Sequence, residues 1–340
     1  MDITTLFNQK ENLSKALSTN SLNLLNTDYS GYPYLAKDLC YQSSVDRVCK
    51  LLDSEDTKCI SVVDTMDSIM GFLVVKKQWF DSQMLNLNVY QVTDIGLSKK
   101  HESISDTCEA LLKGLMSVSK ELGIDYLFYS SDTNHPLATQ LVNQMFHSGF
   151  YYIGTLIKFS ISAKHRESFR QMSSGSMNPT ITIREAVPND LEAIASLAKD
   201  SYKIDRFHLD PNLPTSLCDK LFEQSTINSL VEGLADKLFI AQVDRRVAGY
   251  LSARRRYDTI MQFYVGEGMI SAVDPTYRGL GIFTHLSNRM WEWFLDNTEF
   301  GESGTYINNL PVHKAWTNNT LPIVRGHHQL ACYLDRKSVV

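Results

Sequence analysis

The chain predicts an α/β (α+β) protein in which one order of elements is used twice: a mixed, mostly antiparallel sheet flanked by helices. Strand and helix periodicities follow in the same order through both halves. A polar seam at 163–180 lies between them. The composition is that of an ordinary globular chain, 340 residues with 43% hydrophobic and 21% charged, long enough for two cores.

In the first half, residues 59–63 and 68–75 read as neighbouring strands that turn at 64–67, and 88–95 as a third. From near His101, the residues Ile104, Cys108, Leu111, Leu115, Val118 and Leu122 recur at helical spacing, and Gly123 closes the helix. A short strand at 126–129, a helix over 136–146 and a strand over 150–161 complete it. The seam holds Lys164-His165-Arg166-Glu167, Ser173-Ser174-Gly175-Ser176 and Asn178-Pro179, so it reads as a linker. The expected domains are therefore 1–162 and 181–340, joined by 163–180.

The second half opens with an alternating strand at 181–185. Asn189 or Asp190 caps a helix through Leu191, Ile194, Leu197 and Ala198. A polar loop with aromatics (202–214) leads to a helix ending near 234. Residues 238–241 and 247–251 form a hairpin around Asp244-Arg245-Arg246, and 268–273 is a further strand. A turn at 274–281 opens a helix carrying Leu286, Met290, Trp293 and Phe294. A strand at 306–307, a short helix and paired strands running to Leu334 close the chain.

With 33 basic and 38 acidic residues, the net charge of −5 gives no sign of a nucleic-acid partner. No apolar run approaches the roughly 18 residues of a membrane span, and Met1-Asp2-Ile3-Thr4-Thr5 lacks a signal pattern. The expectation is a cytoplasmic protein without a membrane partner. The six cysteines include no C-x-x-C pair and read as structural thiols. His327 and His328 are neighbours on a strand, so their side chains point to opposite faces, and no H-x-x-x-H occurs; no metal is expected.

The informative segment is Val273-Asp274-Pro275-Thr276-Tyr277-Arg278-Gly279-Leu280-Gly281-Ile282. A strand runs into a turn with two glycines that opens directly into a helix. Glycines permit the positive φ that aims several N–H groups at one point, and a helix N-terminus adds unpaired donors and partial positive charge. With Arg278 as a cation, this reads as a pyrophosphate cradle; taken alone, the glycine turn reads equally as a structural turn and helix cap.

The V-x-P strand end, the R-x-x-G core, the helix that follows and the element order resemble the GNAT family of acyl-CoA N-acyltransferases over about 181–334. The resemblance implies tandem GNAT folds and acyl-CoA as co-substrate. Arg278, Gly279, Leu280, Gly281 and Ile282 would hold the pyrophosphate, with Thr284 offering a hydroxyl. The last motif position holds Phe283 in place of a small residue. Asn309 would fix the pantetheine arm. Backbone at Ser271 to Val273 would polarise the thioester carbonyl if the family's bulge is present. Glu267 matches the position of a catalytic glutamate, where burial beside Tyr264 and Met269 would raise its pKa and suit it to take the amine's proton. Trp316 stands where many members have a tyrosine acid, and reads either as a core aromatic or as a residue beside the thioester. In the first half the corresponding turn, Leu97-Ser98-Lys99-Lys100-His101-Glu102-Ser103-Ile104, has no glycine. That copy reads as degenerate, without CoA binding.

The loop Asp205-Arg206-Phe207, with Gly249-Tyr250 further on, resembles nucleotide-sugar N-acyltransferases acting on dTDP-linked amino-dideoxysugars of surface polysaccharide synthesis. The tandem build is similar to members that transfer acetyl or 3-hydroxybutyryl. By that resemblance the acceptor is a small nucleotide sugar. Arg206 would meet its diphosphate, Phe207 or His208 would stack on a base or sugar, and Tyr250 and Tyr264 would line the site; the alternative is a solvated loop anchored by Phe207. A homodimer is an open alternative to a monomer. Two other functions stay open: acylation of another amine (peptide, polyamine or aminoglycoside), or acyl-CoA binding without catalysis.

Overall fold

The computed structural model describes residues 4–7, 10–99, 104–174 and 178–334, the side chains at 6, 7, 174, 200 and 230 excepted. In chain order the elements are β1 (Thr4–Phe7), α1 (Lys10–Ser18), β2 (Leu22–Leu24), α2 (Lys37–Leu52), β3 (Thr57–Val63), β4 (Ile69–Lys77), α3 (Trp79–Leu85), β5 (Val89–Ser98), α4 (Ile104–Glu121), β6 (Tyr126–Asp132) and α5 (Ala138–His147). They continue with β7 (Tyr151–Ser162), α6 (Arg166–Ser174), β8 (Ile181–Glu185), α7 (Leu191–Ser201), α8 (Thr215–Val231), β9 (Lys237–Val243), β10 (Arg246–Asp258), β11 (Phe263–Val273), α9 (Ile282–Asn297), β12 (Phe300–Tyr306), α10 (Leu310–Asn318) and β13 (Ile323–Tyr333).

The chain divides into two units, Met1–Thr155 with Arg325–Val340, and Leu156–Val324. In the first, β3, β4 and β5 form an antiparallel meander with β1 on its outer edge. β5 then pairs in parallel with β6, whose other neighbour is β13. Leu111, Leu115 and Val118 recur on one face of α4 and pack with Ile60, Leu73 and Val92 of the sheet. Leu13, Leu17, Val48 and Leu52, from the two early helices the periodicity reading passed over, cover the opposite face around Phe72 and Val74.

In the second unit the strand order is β7-β12-β11-β10-β9-β8, with β11 and β12 parallel and the other pairs antiparallel. Leu286, Met290, Trp291 and Phe294 of α9 cover one face together with Trp316 of α10. Ile194 and Ala198 of α7 lie on the other, against Ile240, Tyr250 and Ala272.

Two boundaries differ from expectation. The seam expected to be a linker forms α6, because Phe169 is fully buried in the second unit's core and Arg166 reaches Asp296 at 2.7 Å and the Leu295 carbonyl. One aromatic ring is enough to dock an otherwise polar helix. The expected pair of C-terminal strands is a single strand, β13. Its residues His327–Tyr333 pair with β6 of the first unit, while Leu156–Ser162 of β7 pair with β12 of the second. Among the described residues no helix is long and apolar enough to cross a membrane.

Candidate active site

β11 and β12 run together for three residue pairs only, Val265–Phe300, Gly266–Gly301 and Glu267–Glu302. Beyond these, β12 continues against β7 as far as Tyr306, and β11 against β10 as far as Val273. The two parallel strands therefore part, and among the described residues no strand pairs with the edge of β11 past Glu267 on that side. A bulge lies at the fork. Ser271 pairs with Leu251 and Gly268 with Ala253, so Met269 and Ile270 together oppose Ser252.

The hydrogen-bond phase past the bulge is set by Asp274, whose N–H donates to the Ala248 carbonyl at 3.0 Å. In an antiparallel ladder alternate pairs exchange bonds, so Ala272 bonds to Tyr250. The N–H groups of Ser271 and Val273 then turn away from β10 toward the fork.

The strand leads straight into the predicted turn. Asp274 accepts from the Thr276 N–H at 2.8 Å, Pro275 starts a single 3-10 turn, and Gly279 and Gly281 adopt φ of 84° and 85°. Gly281 is the N-cap of α9 in a left-handed conformation, with no side chain capping the helix. Among the described residues no hydrogen bond engages the N–H groups of Gly279 to Thr284; the first helical bond is His285 N–H to the Gly281 carbonyl, at 3.1 Å. Gly279, Leu280 and Gly281 are exposed, Ile282 is buried, and the exposed Arg278 makes no ion pair among the described residues. This arrangement can accept an anion: free donors, the positive end of a helix and one cation. Asn309 is the N-cap of α10, and its side chain makes no capping bond. Phe283, at the motif's departing position, packs toward Trp316 with ring centroids 5.9 Å apart and leaves the turn open.

On the face opposite α9, the fork carries charge. A Cβ at Gly266 or Gly301 would strike Phe294 of α9, so the next residues, Glu267 and Glu302, point to the other side. Glu267 accepts from Arg254 Nε at 2.8 Å and Nη2 at 2.7 Å, and Arg256 Nε lies 3.4 Å away. Lys158 holds Glu302 at 3.0 Å. Burial works against charge on Glu267, but Arg254, Arg256 and Lys158 outweigh it and hold its pKa below the usual carboxylate value. The expected rise is thus reversed, because the neighbouring strands supply three cations.

Other predicted residues are placed differently. Trp316 is 2% exposed and packs edge-on against Phe159 at 5.1 Å and Trp291 at 5.6 Å, so it is a core aromatic. Phe207 is buried beneath the Arg206 guanidinium at 4.4 Å and meets Phe222 edge-on. His208 is clamped between Asp205 at 2.5 Å and Asp219 at 3.0 Å. Neither ring offers a free stacking face; both anchor the loop. Tyr250 is fully buried, its hydroxyl 2.8 Å from that of Tyr202 and 3.0 Å from Thr226. Tyr264 shares the α9 side with Gly266 and stacks with Tyr257 and Arg255, away from Tyr250.

The first unit repeats the fork and then closes it. β5 parts from β6 after Val92–Tyr129, with a bulge at Thr93. Here β2 fills the gap: Leu22, Asn23 and Leu24 pair with Ser98, Leu97 and Gly96, and the Leu25 N–H donates to the Ile95 carbonyl. Asn26 then spans to β6, donating to the Ser130 carbonyl at 3.0 Å and accepting from the Asp132 N–H at 3.2 Å. Arg47 locks the segment with a fork onto buried Asp94 (2.8 and 2.9 Å), a bond to Asp28 and one to the Asn26 carbonyl. Of the glycine-free turn expected at 97–104, residues 100–103 lie outside the described residues.

Residues 193–318 match the model of the acetyltransferase (GNAT) family. The matched stretch lies within the second unit. The spore coat polysaccharide biosynthesis protein SpsD of Bacillus subtilis (strain 168) is 24% identical over 218 residues, 64% of this chain and 68% of that protein. Among solved structures, a tandem GNAT protein from the clavulanic acid biosynthesis pathway aligns over 97% of this chain and 98% of its own, with TM-score 0.57 and 10% identity. A GCN5-related N-acetyltransferase from Sphaerobacter thermophilus aligns over 92% and 95%, with TM-score 0.57 and 9% identity. The likeness to these two solved structures is one of fold, an α/β GNAT-like fold.

Proposed function

We propose that the second unit transfers an acyl group, acetyl or 3-hydroxybutyryl, from acyl-CoA to the amine of a dTDP-linked amino-dideoxysugar, by direct attack. The observation that carries this reading is the parting of β11 from β12 next to the uncapped start of α9. Arg278 and the N–H groups of Gly279 to Thr284 would bind the pyrophosphate, and Asn309 the pantetheine arm. The Ser271 and Val273 N–H groups would polarise the thioester carbonyl.

The amine must shed its ammonium proton before attacking. A carboxylate held ionised by two arginines is a weak base, so the role we give Glu267 is to draw the ammonium to the fork, with the proton passing to water. Attack forms the C–N bond. The C–S bond then breaks, CoA leaves as a thiolate, which needs little help from an acid near neutral pH, and the second nitrogen proton passes to water, leaving the neutral amide. Trp316, buried in the core, takes no part.

The sugar acceptor is supported by the name of the Bacillus relative, a polysaccharide biosynthesis protein, and by the Asp205-Arg206-Phe207 loop. Arg206 is the residue of that loop suited to a diphosphate. The first unit, its fork occupied by Leu22–Asn26, is proposed as a degenerate copy that takes no donor. A thiol-release assay crossing acetyl-CoA and 3-hydroxybutyryl-CoA with dTDP-amino-sugars, a polyamine and a lysine peptide tests the proposal. Release with a dTDP-amino-sugar alone is expected. Release with the polyamine or peptide alone would overturn the acceptor, and CoA binding without release from any amine would favour a non-catalytic role.

A further inference from the structure

We infer that Ser252 is a positioning residue for acyl transfer: its hydroxyl holds the bulge that turns the Ser271 and Val273 N–H groups into the fork. The inference rests on the reading of that fork as the acyl site. Ser252 is completely buried on β10, opposite the two bulged residues Met269 and Ile270. Its Oγ accepts from the Ile270 N–H at 3.2 Å and donates to the Ile270 carbonyl at 3.3 Å. One side chain thus supplies both bonds that a backbone pair would otherwise make. Without it, a part-buried N–H and carbonyl lose their partner together.

The bulge also reverses the alternation of β11. Gly266 and Gly268 face α9, where added Cβ atoms would strike Phe294 and Met290. Ile270 and Ala272 pack on the other face with Ile194 and Ala198. Strict alternation would put all four on one face, and would turn the N–H groups of Ser271 and Val273 back toward β10. Ser252 sits at the point of reversal. It touches no reacting atom; it fixes the phase of the strand that does.

Ser252→Ala and Ser252→Thr test this, with turnover, acyl-CoA affinity and amide hydrogen exchange measured on the full chain. For Ser252→Ala, kcat is expected to fall about 10- to 100-fold, the scale of a displaced oxyanion donor, with the acyl-CoA Kd held within about threefold because the α9 cradle is untouched. The Ile270 amide should lose protection while that of Ala272 keeps it. Ser252→Thr, which retains the hydroxyl, should recover most of both. Should Ser252→Ala fail to fold, Ser252→Cys replaces it, keeping the shape and weakening the bonds. Wild-type kcat in the alanine variant, or an Ile270 amide still protected, would overturn the inference. If the wild type releases no thiol with any amine, the proposed function fails, and the Ile270 amide still decides the role of Ser252.

Discussion

Replacing Gly281 with alanine probes the donor cradle with little steric disturbance. Gly281 has φ of 85°, and an added Cβ would meet only His285 Cδ2, at 3.8 Å. The cost is therefore one of backbone conformation, about 1–2 kcal/mol for a left-handed L-residue. The chain can keep the turn and bear that cost, which lowers Tm, or relax the turn and misalign the Gly279 to Thr284 N–H groups. If relaxation dominates, acyl-CoA affinity falls roughly 5- to 30-fold, since 1.4 kcal/mol is a factor of ten. Gly279, at 84° with nothing within 4 Å of a built Cβ, should behave alike. Asparagine, which tolerates this region better, should cost less at either position. Calorimetric titration of acetyl-CoA and a thermal melt on each variant measure both routes. A Gly281→Ala protein with wild-type affinity and wild-type Tm would refute the reasoning, because the strain would then have gone nowhere.

Three further outcomes follow from charge and burial. Arg47→Met leaves Asp94, 1% exposed, without its partner; because Arg47 is itself one-third exposed, about 2–4 kcal/mol of stability should be lost, seen as a lower Tm with acyl-CoA affinity unchanged. Around His208, burial opposes the charge but Asp205 and Asp219 outweigh it, so its folded pKa is raised. Its contribution is then full below about pH 6.5 and is lost as pH rises through the folded value. The Tm gap between wild type and His208→Gln should close on going alkaline, and a gap that widens would contradict the clamp. Glu267 has a lowered folded pKa, so its ion pairs stabilise above the ordinary carboxylate range and fade as pH falls below about 4. Glu267→Gln should lower kcat/KM and leave the shape of the pH profile between about 6 and 9 unchanged; loss of the ascending acid-side limb would restore Glu267 as the base.

Much of the fold was legible because it rests on local signals. Helical spacing in α4, alternation in β8, and two glycines between a valine strand and an amphipathic helix each state their structure within about ten residues. The cradle was legible for the same reason. What was hidden depends on pairing across distance. Nothing local tells Leu22–Leu24 to fill a fork between strands some seventy residues downstream, or tells β13 to return to β6. Glu267 is visible in the sequence, but Arg254 and Arg256 are recognisable as its partners only once the β10–β11 register is known. Phe169 was visible and underweighted, since composition averages conceal one buried ring. Ser252 carries no sequence signal: a serine in a strand becomes informative only opposite two residues. Residue type alone leaves Phe207 open between ligand contact and loop anchor and suggests a contact at His208; burial makes both anchors.

On the proposed function, the fork beside α9 receives the acyl donor and the fork in the first unit does not. Amide hydrogen exchange on the full chain, with and without saturating acetyl-CoA, tests both parts together. The expected result is slowed exchange at Ser271, Val273 and Gly279 to Thr284, with Leu22 to Asn26 and Asp94 to Ser98 unchanged. Protection at Leu22 to Asn26 in place of the α9 turn, or no change at Ser271 and Val273 under saturation, would contradict it.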